Sequence, residues 1–256
     1  MSNADWPRRR FLRQLVMASG GVLLSACDAA SRNPHVTKVL SIGEFLSQHV
    51  QHAVTSRTAL AQEFTEADLS PEFRSNGTDY PDSAEYRALA MNGFVDWRLR
   101  VDGLVERPVD LSLDQLRAMR SRTQITRHDC VEGWSAIGKW TGTPLSEVLA
   151  LVHPRADARY VMFYSADPMD DWGTRYYESI DMEDAYHPQT ILAYALNDAT
   201  LPIPNGAPLR LRLERQLGYK MAKYLMHIEL VDSFARIHGG KGGYWEDEGY
   251  EWYAGI

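Results

Sequence analysis

A single cysteine stands among reactive side chains in the segment ITRHDCVEGW, residues 125–134. Cys130 is one of only two cysteines in the 256 residues, and the other is Cys27. A thiolate suits soft metals such as zinc, copper(I), iron in clusters or molybdenum. Structural zinc sites and iron–sulfur clusters need several such ligands, so a lone cysteine excludes them. A metal at Cys130 would have to bring most of its own ligands. The alternative is a cysteine buried as a small hydrophobe.

A local excess of positive charge lies between Arg210 and Lys223. This stretch has five basic residues and one glutamate, in a chain with 27 basic and 34 acidic residues overall. Arginine and lysine concentrated in this way are typical of a site for an anion, most simply a phosphate. A basic face exposed to solvent is the alternative. A thiolate and a phosphate site together would describe a metal carried on a phosphorylated organic ligand.

Short strands and short helices must position these residues. Ser112 and Gln115 form a capping-box pattern that predicts a helix start, and Pro144 suits the first position of another helix. Residues 70–81 are dense in turn formers and are predicted to be an irregular loop. Strands are predicted at residues 97–103, 159–165, 190–197, 208–214 and 223–231. The pattern predicts an α+β fold, mixed and β-rich with short helices, and not a doubly wound parallel sheet.

The N-terminus has the layout of an export signal. Arginines 8 to 10 precede an apolar run of 12 residues, which is too short to span a bilayer. The arginines resemble a twin-arginine signal, which passes folded proteins to the periplasm. The sequence LSAC, ending at Cys27, resembles a lipoprotein processing box, although an ordinary cleavage nearby is the alternative. We expect periplasmic export in the folded state, with attachment to the inner membrane by lipid if Cys27 is acylated.

Three regions follow from this reading. Residues 1–27 are the signal, and residues 28–70 are a tether and a helical segment whose apolar residues recur up to about Phe64. Residues 71–256 form the main domain. Removal of residues 1–26 would leave 23 basic and 33 acidic residues, a formal charge of −10. A nucleic-acid partner is not expected, because binding to phosphate backbones needs a basic surface.

Several ordered motifs resemble the molybdopterin-binding domain of the sulfite oxidase family, from about Phe73 to Val231. The chain is most similar to the branch of periplasmic methionine-sulfoxide reductase catalytic subunits. The motifs are CVEGWS from Cys130, WTGTPL from Trp140, HPQT from His187, LP from Leu201, NGAPLR from Asn205 and GYK from Gly218. The resemblance implies a sulfite oxidase-type fold over residues 71–256 and a molybdenum–molybdopterin cofactor.

The resemblance also implies roles for individual residues. Cys130 would be the thiolate ligand of molybdenum. Cofactor contacts are implied for Asn76, Ser165, Asn205, Arg210, Met221, Ala222 and Lys223. Ser165 stands where the reductase branch has a threonine. His128 and Asp129 are candidates for delivering a proton to a leaving oxygen. Aromatic residues near the end of the sequence, Trp245 and Tyr250 among them, could dock on the domain or on a partner.

The resemblance implies oxygen-atom transfer at molybdenum. Sulfite-oxidising members place arginines soon after the cysteine, whereas Val131, Glu132, Gly133 and Trp134 follow here. A carboxylate beside the metal would repel an anionic substrate. The candidate substrates are small oxyanions, S-oxides and N-oxides. We therefore favour reduction of an S-oxide or an N-oxide. The sequence has no CxxCH haem motif, so electrons would come from a partner, a cytochrome or a membrane haem protein.

Two alternatives stay open at this point. The chain could be a sulfite dehydrogenase that passes electrons to a c-type cytochrome. It could also be a lipoprotein binding module without catalytic activity. The loop SADPMDDWGTRY, residues 165–176, is shorter than the corresponding reductase loop, so the same substrate does not follow from the resemblance alone.

Overall fold

The computed structural model describes residues 59–256. The predicted export signal with Cys27, and most of the predicted tether and helical segment, lie outside the described residues. Residues 59–65 are extended, since Glu63 forms a β-bridge with Thr126 and the amide of Phe64 donates to the carbonyl of Ile125 at 2.8 Å. The helical prediction was wrong for this end of the segment, because pairing with a neighbouring strand takes its backbone groups.

Ten strands and five short helices are assigned within residues 59–256. The strands are β1 Arg98–Gly103, β2 Val109–Ser112, β3 Arg122–Asp129, β4 Ser135–Pro144, β5 Tyr160–Pro168, β6 Arg175–Asp181, β7 Ile191–Leu196, β8 Ala199–Thr200, β9 Arg210–Arg212 and β10 Leu225–Val231. The helices are α1 Ala84–Met91, α2 Leu113–Ala118, α3 Leu145–Val152, α4 Met182–Ala185 and α5 Tyr244–Asp247. Single 3-10 turns lie at Glu66–Asp68, Ile203–Asn205 and Gly218–Lys220.

The strands form two sheets of five. The first has the order β2-β1-β10-β5-β6, and only the β1–β10 pair in it is parallel. The second has the order β3-β4-β7-β8, with β9 also paired to β7, and all its pairs are antiparallel. The α+β, β-rich prediction is therefore confirmed. The last predicted strand before β10 is shorter than expected, because only Arg210–Arg212 pairs with β7.

The helices bury the faces that their apolar residues predict. The capping box of α2 is present: the Gln115 amide donates to Ser112 Oγ at 3.1 Å, and Gln115 Oε1 accepts from the Ser112 amide at 2.9 Å. In α3, four apolar residues at spacings of three and four are fully buried: Leu145, Val148, Leu149 and Val152. Pro144 is the N-cap of α3 instead of its first helical residue. No helix within residues 59–256 is long and apolar enough to cross a membrane.

Candidate active site

Cys130 lies in the tight turn that follows β3. Its amide donates to the carbonyl of Trp134 at 2.9 Å, and the Gly133 amide donates to the carbonyl of Cys130 at 3.0 Å. Gly133 has a φ of +85°, a conformation that favours glycine. The turn holds Cys130, 9% exposed, in the wall of a cleft.

The surroundings of Cys130 suit a single metal–thiolate bond. Burial raises the pKa of the thiol, and the carboxylate of Glu132 acts in the same direction, whereas Arg74 and Arg210 lower it. A thiolate here is therefore favoured by a further positive charge, such as a metal ion. Residues 59–256 contain no group of three or more His, Cys, Asp or Glu side chains that could hold a metal. In this part of the chain Cys130 can be one ligand, and the other ligands must come with the metal.

The cleft beside Cys130 lies where several segments meet. Its lining includes the loop at residues 76–78, the turn at residues 130–132 and the segment at residues 218–223. Its volume of about 200 Å³ is several times that of one water molecule. Four predicted site residues line it: Asn76, Cys130, Met221 and Lys223. The fold therefore brings the predicted metal ligand and part of the predicted cofactor contacts to one place.

Arg210 is a fully buried cation beside this cleft. Nη1 donates to the carbonyl of Asn205 at 2.8 Å and Nη2 to that of Met221 at 3.4 Å. Its Nε has no hydrogen-bond partner among the described residues. Burial lowers the pKa of Arg210 to about 9, and the Arg212 cation contributes to this. Within residues 59–256 no carboxylate lies within salt-bridge distance of Arg210. A bound anion would therefore offset the free-energy cost of burying this charge.

Lys223 is a second buried cation without a carboxylate partner in the described part of the chain. Its Nζ donates to the carbonyls of Asn76 and Thr78, both at 2.6 Å, and of Pro204 at 2.8 Å. Burial lowers the pKa of Lys223 to about 7, and the Arg210 cation adds to the effect. Two neighbouring cations whose hydrogen-bond acceptors are all neutral carbonyls are an arrangement that suits an anion.

The other three basic residues of the Arg210 to Lys223 stretch are neutralised inside the protein. Their ion pairs are Arg212–Glu214 at 2.6 Å, Arg215–Asp184 at 3.7 Å, and Lys220 with both Glu178 and Glu246. The charge excess seen in the sequence is thus balanced largely by carboxylates from other parts of the chain. Of these five residues, Arg210 and Lys223 are the two without a carboxylate at salt-bridge distance among residues 59–256.

The remaining predicted contacts lie behind the cleft. Ser165 is buried on β5 opposite Leu225, and Asn205 ends the 3-10 turn Ile203–Asn205. Ala222 is buried, and its carbonyl accepts from the Leu211 amide at 2.8 Å. In the described structure these three do not line the cleft, whereas Asp167, two residues after Ser165, does.

Unpaired buried polar atoms gather around the cleft. Among the described residues, the atoms without a hydrogen-bond partner include Asn76 Oδ1, Ser165 Oγ, Asp167 Oδ1 and Arg210 Nε. Buried polar atoms are almost always paired in folded proteins, so such a cluster points to a ligand or ordered water. The set offers a thiol, donors and acceptors, with two cations close by. These residues fit a polar, anionic organic group that carries a metal, as molybdopterin does.

His128, predicted to deliver a proton, is packed behind the cysteine. It is fully buried, and its ring lies 5.8 Å from that of Phe73 and 5.4 Å from that of Trp134, between ring centroids. Arg212 donates to its Nδ1 at 3.0 Å, and burial together with this cation lowers the pKa of His128 well below its usual range. The ring is therefore neutral and belongs to the packing beneath the site.

Asp129, the other predicted proton donor, faces away from the cleft. Its carboxylate accepts from Arg127 Nε at 2.9 Å and from Ser135 Oγ at 2.5 Å. It lines a separate crevice with Phe64 and Glu214. The described structure brings neither His128 nor Asp129 to the cleft wall.

Asp167 is an acid in the cleft that the sequence did not single out. It is 6% exposed, and burial raises its pKa to about 6, against the opposing effect of the Lys223 cation. The loop that follows it contains two further aspartates, Asp170 and Asp171. Nothing in the sequence distinguishes the buried Asp167 from these two. Aromatic residues complete the lining: Tyr176, Tyr219, Trp245 and Tyr250.

The sequence matches a known protein family over more than half of its length. A family model described as the oxidoreductase molybdopterin-binding domain matches residues 88–237. The match covers Cys130 and all the predicted cofactor contacts except Asn76.

Curated proteins are similar over most of the chain. A protein of Azospira oryzae, provisionally named protein-methionine-sulfoxide reductase subunit YedZ1, is 38% identical over 98% of this chain and 89% of its own length. The protein-methionine-sulfoxide reductase catalytic subunit MsrP of Xanthomonas axonopodis pv. citri is 34% identical over 88% of this chain and 70% of its own. The crystal structure of the sulfane dehydrogenase SoxCD from Paracoccus pantotrophus shares 21% identity, with a TM-score of 0.49, over 54% of this chain and 39% of its own.

Proposed function

The chain belongs to the oxidoreductase molybdopterin-binding domain family, and on this premise we propose that it reduces S-oxides, with the methionine-sulfoxide side chain as its preferred substrate. It is a molybdopterin-binding oxidoreductase, since the family model spans the site and the named relatives are reductases or reductase subunits. The alternative of a non-catalytic binding module is therefore set aside.

One observation carries the proposal. A single cleft joins the thiol of Cys130 to the neighbourhood of two buried cations, Arg210 and Lys223, that have no carboxylate partner in residues 59–256. A metal ligand beside an anion site is the arrangement that a metal on a phosphorylated organic ligand requires. No other cleft in the described part of the chain contains a thiol, because Cys130 is its only cysteine.

The chain's own residues would hold the cofactor in distinct ways. Cys130 would bind molybdenum, and Arg210 and Lys223 would bind the anionic part of the organic ligand. The unpaired Oδ1 of Asn76, which lines the cleft, would accept a hydrogen bond from its polar edge. When bound, the cofactor supplies two-electron redox chemistry and oxygen-atom transfer, and the protein supplies orientation and electrostatics.

The charges of the cleft favour a neutral substrate over sulfite. The carboxylate of Glu132 lines it, and a negative charge in a partly buried site opposes entry of a dianion. A sulfoxide carries no net charge, and its alkyl groups suit the aromatic residues of the lining. This favours S-oxide reduction over the alternative of a sulfite dehydrogenase.

Asp167 is placed to handle a proton in this reaction. Reduction of an S-oxide to a thioether takes up two electrons and two protons and releases water. The carboxyl group of Asp167 lines the cleft with its Oδ1 unpaired among the described residues, and burial raises its pKa to about 6. We assign it the role of holding a proton near the reacting oxygen, the task first assigned to His128 and Asp129.

The electron donor and the cellular location are further parts of the proposal. A cytochrome or a membrane haem protein would supply electrons, because the chain has no CxxCH motif of its own. Residues 1–27 would direct export of the folded protein to the periplasm, with residues 28–70 as the tether and residues 71–256 as the catalytic domain. Replacement of Cys27 by alanine should release the protein from membranes into the soluble periplasmic fraction if the cysteine is acylated.

Two assays on one preparation test the proposal. Protein from a host with an intact molybdopterin pathway is analysed for molybdenum, as wild type and as Cys130→Ser, and near-stoichiometric metal is expected only in the wild type. The wild type should oxidise a reduced viologen with methionine sulfoxide and should not reduce ferricyanide with sulfite. The opposite pattern of activity would make it a sulfite dehydrogenase. Absence of molybdenum from both proteins would overturn the cofactor assignment.

A further inference from the structure

Part of the cleft wall lies outside the region that the family model matches. The match ends at residue 237, whereas Trp245 and Tyr250 line the cleft together with Cys130. The segment from residue 239 to residue 256 thus adds side chains to a site whose cofactor contacts come from elsewhere in the chain. None of the predicted cofactor contacts lies in this segment, so we consider the substrate as its ligand.

The aromatic rings of this wall form a continuous surface. Trp245 and Tyr250 are stacked, with ring centroids 5.3 Å apart and an interplanar angle of 29°. Tyr219, which also lines the cleft, meets Tyr250 edge to face at 5.3 Å and 88°. Met169 adds a flexible apolar side chain to the lining. A small alkyl group entering the cleft would therefore meet aromatic carbon on this side.

Strong contacts fix the segment that carries the wall. The ammonium group of Lys220 lies between the carboxylates of Glu178 and Glu246, and all three side chains are almost completely buried. The Tyr219 hydroxyl donates to the carbonyl of Glu251 at 2.6 Å, and the Leu217 amide donates to that of Ala254 at 2.9 Å. The rings are thus held in position before any ligand arrives, which reduces the entropy lost on binding.

We propose that Trp245 and Tyr250 form the binding surface for the methyl-sulfinyl end of the methionine-sulfoxide side chain, an inference that rests on the proposed function. Sulfur and its methyl group make favourable contacts with aromatic rings, and the alkyl chain gains from leaving water. The sulfoxide oxygen would then point toward the polar side of the cleft, where Cys130 and Asp167 lie. These two rings would determine the preference for alkyl sulfoxides over small hydrophilic oxyanions.

The test compares ring removal with a matched control. The variants are Trp245→Ala and Tyr250→Ala, with Trp245→Leu and Tyr250→Leu as apolar replacements that keep bulk without a ring. Trp172→Ala is the control, because Trp172 is 94% exposed and is absent from the described lining. Each protein is analysed for molybdenum, for KM and kcat with methionine sulfoxide, and for the Kd of methionine sulfoxide by calorimetry without an electron donor.

For each of the four variants that lack a ring, we expect KM and Kd both to rise by about 10-fold, with molybdenum content retained. The Trp172→Ala control should be unchanged. Equal KM and Kd in wild type and in all four variants would overturn the inference while leaving the proposed function intact. Loss of molybdenum from the leucine variants would also overturn it, because the rings would then hold the cofactor. A wild type that neither binds nor turns over methionine sulfoxide would remove the proposed function and this inference together.

Discussion

Lys220 Nζ lies 2.6 Å from Oε1 of Glu246, and each of the two side chains is only 1% exposed. Lys220 ends the 3-10 turn that lines the cleft, and Glu246 belongs to α5, so this ion pair joins the family domain to the aromatic wall. Glu178 on β6 is the third member of the group. Burial raises the pKa of Glu178 well above its usual range, although the Lys220 cation opposes the shift.

Lys220→Met should therefore be strongly destabilising. The substitution leaves two buried carboxylates without their cation, and breaking a buried pair in this way typically costs about 3–5 kcal/mol. Urea unfolding followed by circular dichroism measures the change. Lys241→Met, at an exposed position in the same region, should stay within about 0.5 kcal/mol of wild type. A similar small effect at both positions would show that the buried pair contributes little.

Sulfate should stabilise the cofactor-free protein, and more so at pH 6 than at pH 8.5. The pKa of Lys223 is lowered from 10.5 to about 7, so its charge opposes folding fully below pH 7 and progressively less as the pH rises toward 10.5. A bound anion offsets that charge, and sulfate itself does not titrate in this range. Thermal unfolding with and without sulfate measures the effect.

The matched variant for the sulfate experiment is Lys223→Met. It should lose most of the response to sulfate, because the charge that the anion offsets is removed. Its remaining response should not vary with pH between 6 and 8.5, because Arg210, with a pKa of about 9, stays largely charged in this range. An unchanged, pH-dependent response in Lys223→Met would place the anion elsewhere.

Asp167→Asn should lower kcat for methionine sulfoxide by about 10²-fold or more, with molybdenum content unchanged. In the wild type kcat should fall as the pH rises through the pKa of Asp167, about 6 without ligand, because the protonated acid is the active form. The charged and titratable groups around it are Lys223, Tyr86, Tyr176 and Tyr224. Stopped assays across pH 5–8 give the profile. A variant that keeps both the rate and the falling limb would exclude Asp167.

Gly218→Ala should disturb the packing of His128 and the turn that holds Cys130. A Cβ atom at this position would lie 2.4 Å from the ring of His128 and 3.3 Å from the carbonyl of Asp129, the residue before Cys130. Overpacking of this kind costs about 1–3 kcal/mol and moves the backbone. We expect lower thermal stability and reduced molybdenum content. Gly173→Ala, at a turn with open space and a φ of +92°, should lower stability through backbone strain alone and leave the molybdenum content unchanged.

Local features of the fold could be predicted from the sequence because their causes are local. The capping box of α2 requires only Ser112 and Gln115, and the buried face of α3 follows from the spacing of its apolar residues. The turn at Cys130 follows from Gly133 and the polar residues around it. Asn76, Met221 and Lys223, which line the cleft with Cys130, were indicated by the family resemblance and not by local pattern.

Features that depend on distant pairing could not be predicted in the same way. The basic stretch looked like one large anion site, but Lys220 is neutralised by Glu178, which is 42 residues away, and by Glu246, 26 residues away. Asp167 differs from the neighbouring aspartates only in its burial, which is a property of the assembled fold. His128 precedes Cys130 by two residues in the sequence, but in the fold its ring is buried and packs against Phe73.

The loop at residues 70–81 is attached to the domain mainly through side chains of other segments. Carbonyls at Phe73, Asn76 and Thr78 accept from Asn205, Lys223 and the Tyr224 hydroxyl. Phe73 of the same loop is buried against Trp140, with ring centroids 4.9 Å apart, and its ring also lies 5.8 Å from that of His128. One short loop therefore contacts both the cation Lys223 and the packing beneath Cys130. The two ends of the site are mechanically linked, so a change at either one is felt at the other.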